Sequence, residues 1–183
     1  MSAATMKTNK SWLVGLAALA LTALAAGCGS DTTSASGNAT DAAFITDMTT
    51  HHQRAITVAE MAQKRAEHPE IRKLADDIIS VQTGEISVMK RIGDDMRGMG
   101  MHDSGHMGMS RSQMGMNMDL PMLRRAKPFD RAFIDTMVSH HQGATAMAHK
   151  ELAKGSQPAL RTMAQNMIDA QTKEIAQMRG LRK

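Results

Sequence analysis

The chain has 183 residues and a formal net charge of +4, and 42% of its residues are hydrophobic, so it is long enough for one domain with its own core. Only 2% of the residues are aromatic, with no tyrosine and one tryptophan, which leaves almost nothing to stack on nucleobases. Together with the small net charge, this composition argues against nucleic-acid binding. The 19 methionines, beside three phenylalanines and one cysteine, require an explanation.

Residues 1–27 have the pattern of a lipoprotein signal peptide. Lys7 and Lys10 precede an apolar run that is shorter than the ~20 residues of a membrane span, and Cys28 follows it directly. The alternative is a transmembrane anchor with an incidental cysteine. Residues 28–40 are rich in Ser, Thr and Gly, which predicts a flexible tether. We therefore expect lipidation of Cys28 and export to the periplasm or the outer face of the cell envelope.

Two stretches of the remaining chain repeat each other. The sequence FITDMTTHHQ at 44–53 returns as FIDTMVSHHQ at 133–142, an offset of 89 residues. The same offset aligns Pro69 with Pro158 and carries the match on without a gap. This is an internal duplication.

Each copy has apolar residues at helical spacing, with a short break that contains Pro69 or Pro158. The sequence therefore predicts helical hairpins over 41–97 and 130–183, which together make an all-α four-helix bundle. The predicted N-caps are Asp41 and Asp130.

Hairpin geometry predicts a polar layer across this bundle. An antiparallel turn near residue 68 brings His51 level with Glu85, and a turn near residue 157 brings His140 level with Glu174. A carboxylate on an apolar stripe is costly without a partner, which a histidine would supply. Adjacent histidines diverge by about 100° on a helix, so we expect one of each pair to face inward and the other to lie at the surface or in a helix interface. The methionine pairs predicted to be level are Met48 with Met89 and Met137 with Met178.

The layer has two interpretations. As a structural network, His–Glu hydrogen bonds would fix the register of the hairpins. As a metal site, imidazole suits copper and zinc, and thioether selects Cu(I). A ferritin-type iron oxidase would need Glu-x-x-His motifs, which the sequence lacks. The candidate ligands on the helices are His51, His52, His140, His141, Met48, Met137, Glu85, Glu174, Met89 and Met178.

Residues 98–129 form a crossover linker rich in methionine and glycine, in which no helical period survives. One interpretation is a low-complexity linker whose methionines are inert or buffer oxidation. The other is a flexible collector of Cu(I) or Ag(I), whose closely spaced thioethers wrap a soft ion without a preformed fold. The candidate ligands here are His102, His106, Met99, Met101, Met107, Met109, Met114, Met116 and Met118.

The repeated Phe-x-x-x-Met-x-x-His-His-x-x-Ala, followed in each copy by Gln-x-x-Glu-Ile-x-x-Met, resembles the bacterial domain of unknown function 305, a family that includes CopM-like periplasmic copper-binding proteins. The resemblance spans residues 41–181. It implies a ferritin-like bundle, export from the cytoplasm and, in some members, copper binding with a role in copper tolerance. Carried over by position, it points to Met48, His51, His52, Met137, His140 and His141.

We therefore expect a membrane-tethered lipoprotein that binds copper, preferably Cu(I), or silver or another soft metal, for buffering, sequestration or tolerance. We do not expect an enzyme, because no catalytic triad order, phosphate loop or nucleotide fingerprint is present. Two alternatives stay open: a ferritin-like redox metalloenzyme that uses the His–Glu layer, and a metal-free structural or interaction bundle. Beyond the metal ion and the membrane, the expected partners are a second copy of the chain or a copper-handling protein.

Overall fold

The computed structural model describes residues 37–101 and 105–182. Cys28, the predicted signal peptide, most of the predicted tether and His102 lie outside these residues. The described part of the chain contains no strand, so the predicted all-α class is confirmed. None of its helices is both long and apolar enough to cross a membrane. The helices are α1 (Ala39–Arg65), α2 (Pro69–Gly98), α3 (Leu120–Arg125), α4 (Phe129–Lys154) and α5 (Pro158–Leu181).

Four long helices pack as two hairpins. Helix α1 packs along α2, α4 packs along α5, and the two hairpins meet mainly through α1 and α4. Pro69 and Pro158 open α2 and α5, where the missing proline N–H would have no helical partner in any case. The two helices that carry the His-His pairs are therefore the central ones, and each has neighbours on two sides.

The buried apolar side chains form two clusters of different composition. The first is built largely from aliphatic and aromatic residues, among them Ile71, Ile78, Phe129 and Phe133. The second, which we call the methionine cluster, lies around Phe44. Its buried methionines are Met48, Met89, Met96, Met107, Met147 and Met167, and Met101, Met109, Met114 and Met163 pack against it partly buried.

The predicted N-caps are wrong. Asn38 caps α1 by accepting hydrogen bonds from the backbone N–H groups of Thr40 and Asp41, and Asp41 closes the capping box from inside the helix. Helix α4 has Pro128 at its N-cap position, so that Asp130 lies in the first turn. In both cases the aspartate lies inside the helix, because the helix begins earlier than its apolar pattern does.

Each of these aspartates instead accepts hydrogen bonds from the turn of the other hairpin and so links its helix to that turn. The carboxylate of Asp130 accepts hydrogen bonds of 2.9 and 3.1 Å from the backbone N–H groups of residues 67–68 in the first hairpin turn. The carboxylate of Asp41 does the same for residues 156–157 in the second turn, at 3.0 and 3.1 Å. The duplication thus places a reciprocal pair of turn contacts between the hairpins.

The linker packs on the helices at several points of its described length. Met107 and Met116 are only 4% and 6% exposed, and the N–H of Met107 donates a 2.7 Å hydrogen bond to Asp47 of α1. Gly115 has a φ of +63° and lies against the backbone of Ser139 in α4, where a Cβ would overlap the Ser139 carbonyl. The linker therefore differs from the predicted collector without a preformed fold.

Arg65 at the end of α1 holds the last part of the linker. Its guanidinium donates hydrogen bonds of 3.1 Å to the carbonyl groups of Leu123 and Ala126, and it lies 4.4 Å from the centre of the Phe129 ring. These contacts combine charge-assisted hydrogen bonding with a cation–π interaction. They fix α3 and the start of α4 against the first hairpin.

Replacing Asp130 tests the reciprocal turn contacts. We expect Asp130→Ala to lower the free energy of unfolding by about 1–2 kcal/mol, because two backbone N–H groups lose a charged acceptor. Urea denaturation measures the change. The control is Asp77→Ala, which removes an exposed i,i+4 ion pair with Lys73 and should cost only a few tenths of a kcal/mol. Equal losses in the two variants would contradict a special role for Asp130.

Replacing Gly143 tests the packing of the linker on α4. A Cβ at Gly143 would overlap the backbone of Met114, so we expect Gly143→Ala to destabilise the protein by about 1–3 kcal/mol and to displace the linker. Gly84→Ala is the matched control: a Cβ there meets nothing within 4 Å, and alanine is the better helix former by about 0.5–1 kcal/mol. Thermal unfolding of both variants should therefore shift in opposite directions, and a stabilised Gly143→Ala protein would contradict the packing described.

Candidate metal centre

All four histidines of the repeated pairs are buried, with 0% exposure each. Of the two positions expected for the second histidine of each pair, the surface is therefore wrong and the helix interface is correct. The reason is the central position of α1 and α4: each has its hairpin partner on one side and the other central helix on another. Two directions about 100° apart on the helix thus both point into the protein.

The second histidine of each pair bonds a glutamate of its own hairpin. His52 Nε2 donates to Glu85 at 2.7 Å, and His141 Nε2 donates to Glu174 at 2.6 Å. Both glutamate side chains are 20% exposed, so the carboxylates keep some contact with solvent. The predicted glutamates are correct, but the predicted histidines are wrong by one residue. Counting residues from a turn gives the height along the helix to within about 1.5 Å, and it does not give the direction around the helix.

His51 and His140, which the hairpin geometry had assigned to those glutamates, stack on each other between the hairpins. Their ring centroids are 3.5 Å apart and the rings are inclined by 28°. His51 Nε2 lies 3.0 Å from the carbonyl oxygen of Met114 and 3.1 Å from that of His140. Because both neighbours are acceptors, this nitrogen carries the proton and donates to them. The stacked pair is therefore joined to the linker at Met114.

Burial makes the stacked imidazoles neutral. Loss of hydration, followed by the charges of His52 and His141, lowers the pKa of His51 to about 3. Burial likewise lowers the pKa of His140 well below its ordinary 6.5, again with the other histidines adding to the effect. Two charged rings at this separation would repel each other in a medium of low dielectric constant, so the stack requires both to be neutral.

Several polar atoms of this layer have no hydrogen-bond partner among the described residues. They are the Nδ1 atoms of His51, His52, His140 and His141, the Nε2 atom of His140, and the Oε1 atoms of Gln82 and Gln171. Such orphaned nitrogens are chemically suited to a metal ion. However, no group of three or more His, Cys, Asp or Glu side chains in the described part of the chain is arranged to hold one. The layer is therefore a hydrogen-bonded and stacked network, and its metal site stays a prediction.

The predicted methionine pairs separate into the two clusters. Met48 and Met89 are fully buried in the methionine cluster, whereas Met137 and Met178 are fully buried in the other one. Thioethers are thus concentrated in one half of the molecule, although the duplication supplies them to both.

The linker carries a second polar contact at the edge of the methionine cluster. His106 Nδ1 donates a 2.6 Å hydrogen bond to one carboxylate oxygen of Asp47, and the other oxygen accepts from the N–H of Met107. The hydrogen bond to Asp47, together with the charge of this carboxylate, raises the pKa of His106. The His106 side chain is 79% exposed, so Nε2 is on the solvent side while Nδ1 is held by the carboxylate. This is the arrangement that orients histidine ligands in metal sites.

The predicted linker ligands occupy different environments. Met101, Met107, Met109 and Met114 belong to the methionine cluster, and Met118 packs against the other one. Met116 is buried and Met99 is 47% exposed. The sequence analysis missed Asp47, since its partners lie on a linker without periodicity, where no helical geometry could place them.

A cavity of about 670 Å³ lies between the later linker and α4. Its lining includes Met118, Met122, Arg131 and Ser139. It contains none of the four layer histidines and none of the methionine cluster, so it is separate from both groups described above.

Comparisons with known proteins agree with this architecture. The family model of the domain of unknown function 305 (DUF305) matches residues 35–182. CopM in the Cu(I)-bound form is 38% identical, with a TM-score of 0.66 over 77% of this chain and 94% of that chain. CopM in the Cu(II)-bound form is 40% identical, with a TM-score of 0.68 over 78% and 95%.

A DUF305 fragment from Deinococcus radiodurans is 25% identical, with a TM-score of 0.68 over 80% of this chain and 97% of that chain. A comparison with curated proteins found no match. The family model covers most of the chain, and the similarity to CopM extends over nearly the whole of that protein. This chain therefore belongs to the DUF305 family.

Proposed function

We propose that this protein binds copper, preferably as Cu(I), and that it buffers or sequesters the ion outside the cytoplasm. CopM, its relative at 38–40% identity, has been solved with Cu(I), with Cu(II) and with silver. The observation that carries the proposal in this chain is the methionine cluster, in which thioethers from the linker and from the long helices converge. Thioether is a soft ligand that selects Cu(I) over the harder ions.

The methionine cluster contains candidate ligands from both the helices and the linker. Met107 of the linker is buried together with Met48 of α1 and Met147 of α4. In a metal site in this cluster, the helices would supply some of the thioether ligands and the linker would supply the others. The linker and the bundle are then two walls of one site.

We assign the entrance of this site to His106. Its Nε2 atom is on the solvent side, its Nδ1 atom is held by Asp47, and the next residue in the chain is the buried Met107. An imidazole oriented by a carboxylate binds metal better than a free one. An ion would meet His106 first and then exchange to the thioethers of the cluster, among which Met101 and Met109 are partly buried.

The His layer has a supporting role in this proposal. His52 and His141 use Nε2 for glutamates, and the stack of His51 on His140 fixes how the hairpins meet. In this role the layer sets the register of the two hairpins. The alternative is a copper site on its unpaired nitrogen atoms, which the Cu(I) titration described below also tests. The carboxylates of Glu85 and Glu174 are each engaged by a histidine, which disfavours a ferritin-type oxidase and favours binding without turnover.

The cellular setting is part of the proposal. We propose export and lipid anchoring through Cys28, with the helical domain, a ferritin-like four-helix bundle, held near the membrane. The signal-peptide pattern of residues 1–27 supports this placement. A copper-handling protein is the expected recipient or donor of the ion.

Titration with Cu(I) against a competing chelator tests the proposed site. We expect Met101→Leu/Met107→Leu/Met109→Leu to weaken binding at least ~10-fold, about 1.4 kcal/mol, because leucine keeps the packing and removes the thioethers. Met137→Leu/Met178→Leu, in the other cluster, is the matched control and should bind as wild type does. His106→Ala should slow uptake more than it lowers affinity.

Three outcomes would contradict the proposal. Binding by wild type that is no tighter than binding by ordinary surface histidines would contradict the copper function. Equal Cu(I) affinity in the two methionine variants would contradict the assignment of the site to the methionine cluster. Binding lost in His51→Gln/His52→Gln/His140→Gln/His141→Gln, and retained in the first methionine variant, would move the site to the His layer.

The neutral stack predicts how stability depends on pH. The folded-state pKa of His51 and that of His140 lie below the unfolded value, so their contribution is complete above about pH 6.5 and declines as the pH falls towards the folded value. For each histidine the loss approaches about 1.4 kcal/mol per pH unit. We expect urea denaturation between pH 7 and 5 to show this loss in wild type and not in His51→Gln/His140→Gln.

The comparison between variants is essential here because other groups, Glu151 among them, titrate in both proteins. In addition, ¹⁵N NMR at pH 5 should show neutral rings for the two stacked histidines, with the exposed His68 and His149 as surface references. Protonated rings for the stacked pair at pH 5 would contradict the predicted burial effect.

A further inference from the structure

Glu151 on α4 is a buried carboxyl group that takes no part in the site described above. Its exposure is 0%, and neither of its carboxyl oxygens has a hydrogen-bond donor among the described residues. A carboxylate in such surroundings loses its hydration without compensation. The protonated acid avoids this cost, and it can in turn donate one hydrogen bond.

The acceptor next to Glu151 is Asp41. The Asp41 carboxylate accepts from the backbone N–H of Ser156 and Gln157 at 3.1 and 3.0 Å, from the hydroxyl of Ser156 at 2.9 Å, and from the N–H of Asn38 at 2.5 Å. Burial alone would raise the pKa of Asp41, but the hydrogen bonds from Glu151 and from these backbone groups lower it below its ordinary 3.8. Asp41 therefore holds the charge, and Glu151 holds the proton.

The duplication shows that this carboxyl pair is an addition to the turn contact. The offset of 89 residues places Ala62 at the position of Glu151 and Ala66 at that of Gly155. A Cβ at Gly155 would overlap the Glu151 carboxyl group, so the glycine makes the room that the longer side chain needs. The first hairpin turn is held by Asp130 without a second acid. Glu151 is thus not required to build such a contact.

We propose that Glu151 and Asp41 share one proton and form a pH-sensitive latch, which holds the start of α1 on the α4–α5 turn and loosens when the proton is lost. Without that proton two carboxylates face each other in a buried site, and their repulsion acts on the backbone contacts of Asp41. The pieces that separate are the first turn of α1, where the tether joins the domain, and residues 155–157.

Arg161 of α5 interacts with Glu151, and its positive charge lowers the pKa of this carboxyl group. Burial and the neighbouring Asp41 raise the same pKa by more. Arg161 also donates to the carbonyl of Gly155 at 3.1 Å, so its charge is shared with the turn. On α4, the ammonium of Lys150 donates to the linker carbonyl of Met107. Helix α2 brings no charged side chain of its described residues into the interaction with either acid.

The direction of the pH effect follows from linkage. Burial, followed by the hydrogen bond to Asp41 and by its charge, raises the pKa of Glu151 from 4.5 to about 8. A raised folded-state pKa contributes stability that is complete below the unfolded value and is lost as the pH rises through the folded value. The opening of the latch should therefore become roughly tenfold more favourable per pH unit between these values, and it should level off above about pH 9.

Hydrogen exchange of the full-length protein, followed by mass spectrometry and corrected for the intrinsic effect of pH, tests the latch. We expect protection of the amides of residues 156–157 to fall roughly 50-fold between pH 6 and pH 8 in wild type. Glu151→Gln keeps a donor for Asp41 and cannot lose a proton, so its protection should be nearly constant. The turn at 67–68, beside Asp130, is the control within the same molecule and should also be nearly constant.

A wild-type profile at 156–157 that matches the one at 67–68, or a Glu151→Gln variant that keeps the wild-type slope, would overturn the latch. If Glu151→Gln does not fold, ¹³C NMR of the wild-type glutamate carboxyl carbons decides the question. A Glu151 signal with a midpoint near pH 8 supports the shared proton, and a midpoint near that of an exposed glutamate overturns it. Neither measurement involves a metal ion, so the result is independent of the proposed copper function.

Discussion

The contact between the rings of His51 and His140 is the constraint on which the rest of the structure depends. It occurs where α1 and α4 meet, and it requires both imidazoles to be neutral, since two cations at a centroid separation of 3.5 Å in a buried site would repel each other. Once these rings face each other, the adjacent histidines lie about 100° around each helix and point into their own hairpins. There the carboxylates of Glu85 and Glu174 accept hydrogen bonds from these histidines. One stacking contact thus fixes the rotation of both central helices.

The duplication separates the features that build the domain from those that specialise it. The His–Glu pairs, the turn contacts of Asp41 and Asp130, and the prolines that open α2 and α5 recur in both copies. The copies differ in two other respects: the methionine cluster occupies one half of the molecule, and the buried Glu151 lies beside the second turn contact, at the position of Ala62 in the first copy. Shared features carry the architecture, and the positions where the copies diverge carry the chemistry.

The sequence predicts the hairpins well because their signals are local. Pro69 and Pro158 fix the turns, and the apolar period fixes the helices between them. Its error in the polar layer has one physical origin, since height along a helix follows from counting residues, whereas direction depends on the neighbouring helices. This is why Glu85 could be placed in the layer and yet assigned to the wrong histidine. The contact of Asp47 with His106 was beyond prediction, because a linker without a repeating pattern has no geometry that can be derived from spacing.

The helical framework is joined by contacts that do not involve the linker. The two hairpins are joined by the packing of α1 on α4 and by the reciprocal aspartate contacts, none of which involves residues 105–119. The linker is held by polar contacts, among them Asp47 with the N–H of Met107 and His51 with the carbonyl of Met114, and by the burial of Met107 and Met116. Each such hydrogen bond contributes about 1 kcal/mol net. Methionine suits this boundary between linker and helices, because its unbranched side chain adapts to an irregular surface. The bond to Met114 makes the stacked pair a direct neighbour of the linker, so the same histidine that sets the helix register also anchors the linker.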